Sequence, residues 1–263
     1  MDGFSLPFPK TQHVMRCVIA VLLICGAVAN GAEPRLADFL KKGDALDAQL
    51  KTAEALSVFL QAEKADPKNA EVLRRIAKQY GESMVDARSK DEKRRLALTA
   101  LEYGLRAVEA NPKNAMAQLS LAVCYGRAAP FMDAKTKIAY SRLVKEHAET
   151  SLVLDKRNDY AYHILGAWHY ELANVGAFLR GFCKLIYGDL PAASNEQAVE
   201  FFLKAIELGP DRVSHHIELG RVYAALGKKD LAQIEIQTGL NLPERERDDP
   251  ETKARGRETL KRL

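Results

Sequence analysis

Cysteine is scarce in this chain, four in 263 residues, and two of the four, Cys17 and Cys25, sit in an N-terminal apolar run. The remainder therefore holds at most one disulfide, Cys124 to Cys183, or, as expected here, two small buried thiols. Also missing are a Gly-rich phosphate loop, a His-Glu-x-x-His helix, a Cys-x-x-Cys pair and a Gly-x-Ser-x-Gly elbow. No stretch shows strand-like alternation of useful length, which excludes a sheet-built fold. Charge of one sign is lacking too: the net charge is +4, with Lys and Arg interspersed among Asp and Glu throughout. Without a compact basic run, nucleic acid is not an expected partner.

A long hydrophobic run is also absent. The uninterrupted apolar stretch Cys17–Ala29 (CVIAVLLICGAVA) would rise only about 20 Å as a helix, short of the ~30 Å hydrocarbon core. A short apolar core behind Lys10 and Arg16, ending in Ala27-Val28-Ala29, predicts a cleavable secretory signal over residues 1–29, with Met15 as a possible start. The protein is then secreted or periplasmic; an uncleaved N-terminal membrane anchor is the alternative. Removing residues 1–29 takes away Asp2, Lys10 and Arg16, so the net charge falls from +4 to +3.

What is present is repetition. The phrase ALSVFLQAEKADPKN (55–69) returns as ALEYGLRAVEANPKN (100–114) and as AVEFFLKAIELGPDR (198–212). Each carries two alanines seven positions apart, Ala55/Ala62, Ala100/Ala107 and Ala198/Ala205, and then Pro67, Pro112 or Pro210. A small residue every seven keeps one narrow helix face open to a close neighbour, and the proline ends the helix at a fixed length. A complementary first helix precedes them, with Gly43 before the first and Gly166 before the third, and Leu219-Gly220 begins a further unit whose second helix carries Ala232, Ile236 and Gly239. Together these residues resemble the 34-residue tetratricopeptide helix–turn–helix. The expected fold is an all-α superhelical solenoid of about five helical hairpins over residues 30–248, with a capping helix over 249–263 opened by Asp249 as N-cap.

Successive prolines or their equivalents are not evenly spaced. The excess falls around SMVDARSKDEKRRLA, read as a helix extension with a charged turn, and around GRAAPFMDAKTK, where Pro130 breaks the helix. The longest interval holds an apolar insert, 174–195, between the two helices of the fourth unit. In it Val175, Phe178, Leu179, Phe182, Leu185 and Ile186 recur at i, i+3, i+4, i+7, i+10 and i+11, one face of an amphipathic helix, with Arg180 and Lys184 opposite. Burying six such side chains contributes on the order of 10 kcal/mol, so that face does not stay in water. It either pads the groove between units four and five or lines a site for an apolar ligand.

The aromatic first helix of unit four (Tyr160, Tyr162, Trp168, Tyr170), the insert containing LRGFCKLIYGDLP, and the following AVEFFLKAIEL and LGRVYAALGKKDLA together resemble the regulator of microtubule dynamics family. The resemblance covers residues 70 to the C-terminus and is strongest over 160–232. It implies a tetratricopeptide-like binding domain; microtubule association, organelle contact and lipid handling are ascribed to members.

Catalytic and metal chemistry finds little footing. His163 and His169 lie six apart, about 600° of helix rotation, so they do not share a face as i,i+4 ligands would. His169 falls on a packing position between helices, and His215-His216 point in different directions. No two carboxylates are brought together by spacing. No catalytic residue, cofactor or metal is therefore expected.

Binding is the more concrete reading. First helices of stacked repeats line the concave side, and their inward positions give Glu71, Arg74, Lys78 and Gly81; Met116, Leu119, Val123 and Gly126; Tyr160, His163, Ala167 and Tyr170; and Ser214, Ile217, Arg221 and Ala224. From these, Arg74, Lys78, Met116, Leu119, Tyr160, His163, Tyr170 and Arg221 are the candidate partner-binding residues. Leu40 and Asp44 occupy the positions where some tetratricopeptide domains hold a peptide carboxylate with Lys and Asn, so that mode is not expected. A protein or peptide partner is expected, with a lipid or other apolar ligand as the alternative.

Overall fold

Asparagine, serine and aspartate side chains set where the helices begin. The computed structural model describes residues 36–176, 180–181 and 191–263. In it Asn69, Asn114 and Asn158 each accept a backbone N–H two or three residues ahead (3.0–3.3 Å), closing the first turn of α3 (Ala70–Glu82), α5 (Ala115–Ala128) and α7 (Asp159–Ala173). Ser89, Asp133 and Ser194 do the same for α4 (Lys90–Ala110), α6 (Ala134–Leu154) and α8 (Asn195–Leu208). Pro67 and Pro112 end the preceding helices, because a residue before proline is driven out of the helical region. Accordingly Asp66 and Asn111 are both non-helical (φ −146°, ψ 86° and φ −150°, ψ 91°).

Eleven α-helices are found among the described residues. Those not yet given are α1 (Leu36–Asp47), α2 (Thr52–Ala65), α9 (Val213–Ala225), α10 (Lys229–Asn241) and α11 (Asp249–Leu260). They pack as antiparallel pairs, α1 with α2, α3 with α4, α5 with α6, α7 with α8 and α9 with α10, and α11 lies on α9 and α10. The first helices α3, α5, α7 and α9 also touch in succession, forming the inner wall of the stack. The all-α, paired-helix solenoid expected from the repeats is what is observed.

The repeat alanines do what their spacing predicts. Ala55, Ala62, Ala100, Ala107, Ala198 and Ala205 are all fully buried. Within a pair, a glycine on the first helix faces a large side chain on the second: Gly43 meets Phe59, Gly166 meets Phe202 and Gly220 meets Ile236. Two of these contacts join residues sixteen apart and the third joins residues thirty-six apart. Twenty residues have therefore been added to the fourth hairpin without altering the register of its helices. Val175 at the start of the insert is half-buried; Phe178, Leu179, Phe182, Leu185 and Ile186 lie outside the described residues, as do the leader 1–29 and Cys183. Cys124 is a free thiol whose Sγ donates to the Ala100 carbonyl (3.3 Å), and burial pushes it up to about 12.

Two extensions match their sequence expectation. A 3-10 turn at Ser83–Val85 and the charged segment 86–89 precede the 21-residue α4, and a 3-10 turn containing Pro130 separates α5 from the 21-residue α6. One boundary differs. The cap of α11 is Asp248, while the Asp249 carboxylate turns back to accept the N–H groups of Arg245 (2.7 Å) and Glu246 (2.8 Å). A second sequence assignment is also corrected: Ile217, expected on the concave side, is fully buried among Val213 and Ile236.

The close contacts predict opposite signs for two glycine substitutions. A Cβ at Gly220 would stand 2.5 Å from Ile236 Cγ1 and 3.0 Å from the Ala232 carbonyl oxygen, whereas at Gly126 the nearest atom is 3.9 Å away. In equilibrium urea unfolding, Gly220→Val is expected to lose about 2 kcal/mol through overpacking. Gly126→Ala should gain about 0.5–1 kcal/mol through helix propensity.

Candidate functional site

The inner wall encloses a groove of about 400 Å³. Its floor is α5, where Met116, Leu119 and Val123 form an apolar strip that ends at Arg127; Arg74, Lys78, Gly81 and Glu82 of α3 form one side. Tyr160 of α7, Arg212 of the α8–α9 turn, and Glu246 and Asp248 of the connector after α10 complete it. Met116 is 42% exposed, unusual for so large an apolar side chain on an inner helix. Five of the eight expected concave residues therefore line one cavity: Arg74, Lys78, Met116, Leu119 and Tyr160.

The end of the groove expected to be basic is neutralised by α1. Arg75 donates to both Asp44 oxygens (2.6 and 3.0 Å), and Lys78 to Asp47 (2.5 Å) with Glu82 at 3.3 Å. Arg74 and Arg75 also share Glu71, which accepts from Asn114 Nδ2 (2.7 Å). Burial alone would raise the Glu71 carboxyl, but the Arg74 and Asn114 hydrogen bonds outweigh it and hold it at about 2. Burial dominates at Glu82 and raises its carboxyl despite Lys78. Asp44 to Arg75 and Asp47 to Lys78 are both 31 residues apart, a repeat offset by which the pairing was open to detection in the sequence.

Behind Tyr160 lies a buried polar chain that spacing did not reveal. Asp159 opens α7, and its Oδ2 accepts from Arg212 Nε (2.6 Å) and from His215 Nε2 (3.2 Å); His215 Nδ1 is 3.1 Å from His163 Nδ1. Burial would raise Asp159, yet the His215 hydrogen bond and the Arg212 charge hold it at about 2. Burial lowers both histidines, His163 strongly. The tautomers follow. The ionised Asp159 requires His215 to carry its proton on Nε2, so His215 Nδ1 accepts and His163 Nδ1 donates. His163 is thus buried beneath Tyr160, with the rings stacked at 5.0 Å, and Arg212 lies over the same tyrosine at 5.5 Å.

The other candidates are placed elsewhere. Arg221 lies 5.2 Å over the Tyr170 ring and pairs with Glu218, so these two engage each other, away from the residues lining the groove. His169 is buried and stacks on Phe201 at 5.3 Å, a packing role. His216 bonds Glu235 (2.8 Å) and the Pro210 carbonyl (2.9 Å), pointing away from His215. Glu171, the carboxylate nearest these histidines in sequence, is exposed. Among the described residues no group of three His, Cys, Asp or Glu side chains is arranged to hold a metal ion.

The connector 242–248 links the last hairpin to the second. Arg247 reaches Asp86, beyond α3, with both oxygens at 2.6 Å, and Glu246 pairs with Arg212. Arg245 pairs with Asp211, and Lys253 donates to the Leu242 carbonyl (2.6 Å). The connector thereby forms one rim of the groove, a position its polar composition did not disclose.

Comparison with known proteins follows the same lines. Residues 39–263 match the family model for regulator of microtubule dynamics proteins 1–3. Regulator of microtubule dynamics protein 1 of Bos taurus is 26% identical over 93% of this chain and 76% of its own length. Protein 3 of Xenopus laevis is 27% identical over 69% of this chain and 40% of its own. Among solved structures, a thermophilic tetratricopeptide protein of Thermus thermophilus superposes with a TM-score of 0.60 at 18% identity, covering 86% of this chain and 99% of that one. Pseudomonas aeruginosa PilF gives 0.54 at 14% identity, over 87% and 91%. These likenesses show the fold.

The buried chain predicts acid sensitivity in two steps. Neutral His163 and His215, lowered by burial, contribute stability that is complete above about pH 6.5 and lost as the pH falls. Asp159, held at about 2 against an ordinary 3.8, contributes stability present above about pH 4 and lost on descent towards 2. His216 is raised by Glu235 against the cost of its burial, so its smaller contribution runs the other way and fades as the pH rises. Thermal midpoints measured from about pH 8 to 3 should fall in both windows, and Asp159→Asn should shrink the lower one, leaving the part that Glu71, also held at about 2, contributes.

Proposed function

The chain belongs to the regulator of microtubule dynamics family, and we propose that it is a non-catalytic binding or scaffold protein whose inner groove receives an extended segment of a partner protein. One observation carries this reading: an apolar strip, from which Met116 stands exposed, lies on the floor of a groove whose walls are fixed by ion pairs. Apolar surface beside pre-positioned polar groups is the usual composition of a recognition groove. The paired charges hold the rim without reorganisation, so less freedom is lost when a segment docks. The apolar run Cys17–Ala29 behind Lys10 and Arg16 supports an exported location for this activity, and N-terminal sequencing of the mature protein tests it. An acyl chain is the alternative occupant, drawn from the apolar face expected of residues 175–186.

A photo-crosslinking amino acid at position 116 tests the groove, with one at Val153, 79% exposed on α6, as control. Adducts with a polypeptide at 116 but not 153, lost at least tenfold when a second groove position is changed by Val123→Glu, are the expected result. Equal labelling at both positions, or lipid alone recovered at 116, would overturn it.

A further inference from the structure

Arg127 is the one cation lining the groove that has no carboxylate within ion-pair distance among the described residues. Arg74, Arg75, Lys78 and Arg212 all have one. Among the described residues no hydrogen bond satisfies it either, although the residue is half-buried and its guanidinium is permanently charged and carries five donors. The group is nevertheless held in place. It lies across Gly81 of α3, where a Cβ would come within 2.3 Å of Nη1 and 3.2 Å of Cδ. The absent side chain at 81 is what lets it lie flat at the end of the groove. Glu82 feels its charge, but the ion pair of Glu82 is with Lys78.

The surroundings define the anion. Arg127, Val123 and Met116 are four and seven residues apart in succession on α5, so the guanidinium and the apolar strip share one helix face. Four residues of helix, a rise of about 6 Å, separate the backbone of Arg127 from that of Val123, a span that one residue with an apolar side chain and a terminal carboxylate can bridge. The groove is lined by five basic residues and five acidic ones, Asp44, Asp47, Glu82, Glu246 and Asp248. One unpaired guanidinium in a balanced lining suits a monoanion, whereas a dianionic phosphate would meet five carboxylates with one free partner. That density of charge is also a poor lining for an acyl chain.

Building on the reading of the groove as a partner-binding site, we propose that Arg127 is an anion subsite that takes the C-terminal carboxylate of a partner polypeptide ending in an apolar residue, with that last side chain lying on Val123 and Met116. A planar guanidinium recognises a carboxylate through two parallel hydrogen bonds. An internal Asp or Glu offers the same charge without an apolar side chain on the adjoining carbon.

The test uses the full chain and an array of random heptapeptides ending in Leu, Val or Phe, each made as the free acid and as the amide. Free acids are expected to bind at least tenfold more tightly than their amides. Arg127→Gln should abolish that difference and Arg127→Lys restore part of it, with circular dichroism confirming the fold of both variants. Equal binding of acid and amide, or binding lost with Met116→Glu but unchanged by Arg127→Gln, would overturn the subsite and leave the groove standing. Absence of binding by any free acid up to about 1 mM, the weakest affinity worth roughly 4 kcal/mol, would also overturn it. Crosslinking at position 116 then judges the groove separately.

Discussion

Three of the five hairpins depend on one close approach, in which a glycine of the first helix admits a large side chain of the second. Phe59 fills the space left at Gly43, Phe202 that at Gly166 and Ile236 that at Gly220. Dispersion falls steeply with distance, so helices brought this near gain packing that no longer side chain at the glycine position would allow. The fully buried alanine stripe of the second helices meets the same demand from the other side. Once the spacing within a pair is set, the first helices stack into one wall and the groove follows from their succession.

That wall is polar where the hairpins are apolar. Its first two units are joined by carboxylate–cation pairs, Asp44 with Arg75 and Asp47 with Lys78. Exposed pairs of this kind contribute little to stability, typically under about 1 kcal/mol each. Their effect is orientation: side chains that would sample many rotamers stand in one arrangement along the groove. The Asp159–His215–His163 chain behind Tyr160 is different, since it is buried and its members depend on one another. Removing one member strands the rest without solvent, which makes the aromatic end of the groove the stiffer one.

The hairpins were legible because their signals are local and repeated. Ala55/Ala62 and their counterparts, the prolines and the capping asparagines each act within a turn or two of helix. The groove was half legible: position in the repeat located Arg74, Lys78, Met116, Leu119 and Tyr160 on one surface. Position alone carries no information about neighbours in other elements, however, so it puts Lys78 on the concave side without disclosing the Asp47 that faces it. Nor does it disclose that His163 is enclosed by Tyr160, three residues before it, and His215, 52 residues after. Arg127 was passed over because it lies one position beyond the inward-facing Gly126, at a helix end where the pattern loosens. The connector was missed because nothing in Glu-Arg-Glu-Arg-Asp tells where it will lie.

The bridge from Arg247 to Asp86 spans 161 residues and ties the connector after the fifth hairpin to the turn of the second. In an open solenoid, the first and last repeats have a single neighbour each, and the stack loosens from its termini inward. Here the connector gives the second hairpin a further neighbour, so hairpins two to five are linked into a circuit while the first remains a free end. The width of that circuit is shared among its four members. A change in any one of the four is passed to the others, and the first hairpin stands outside it.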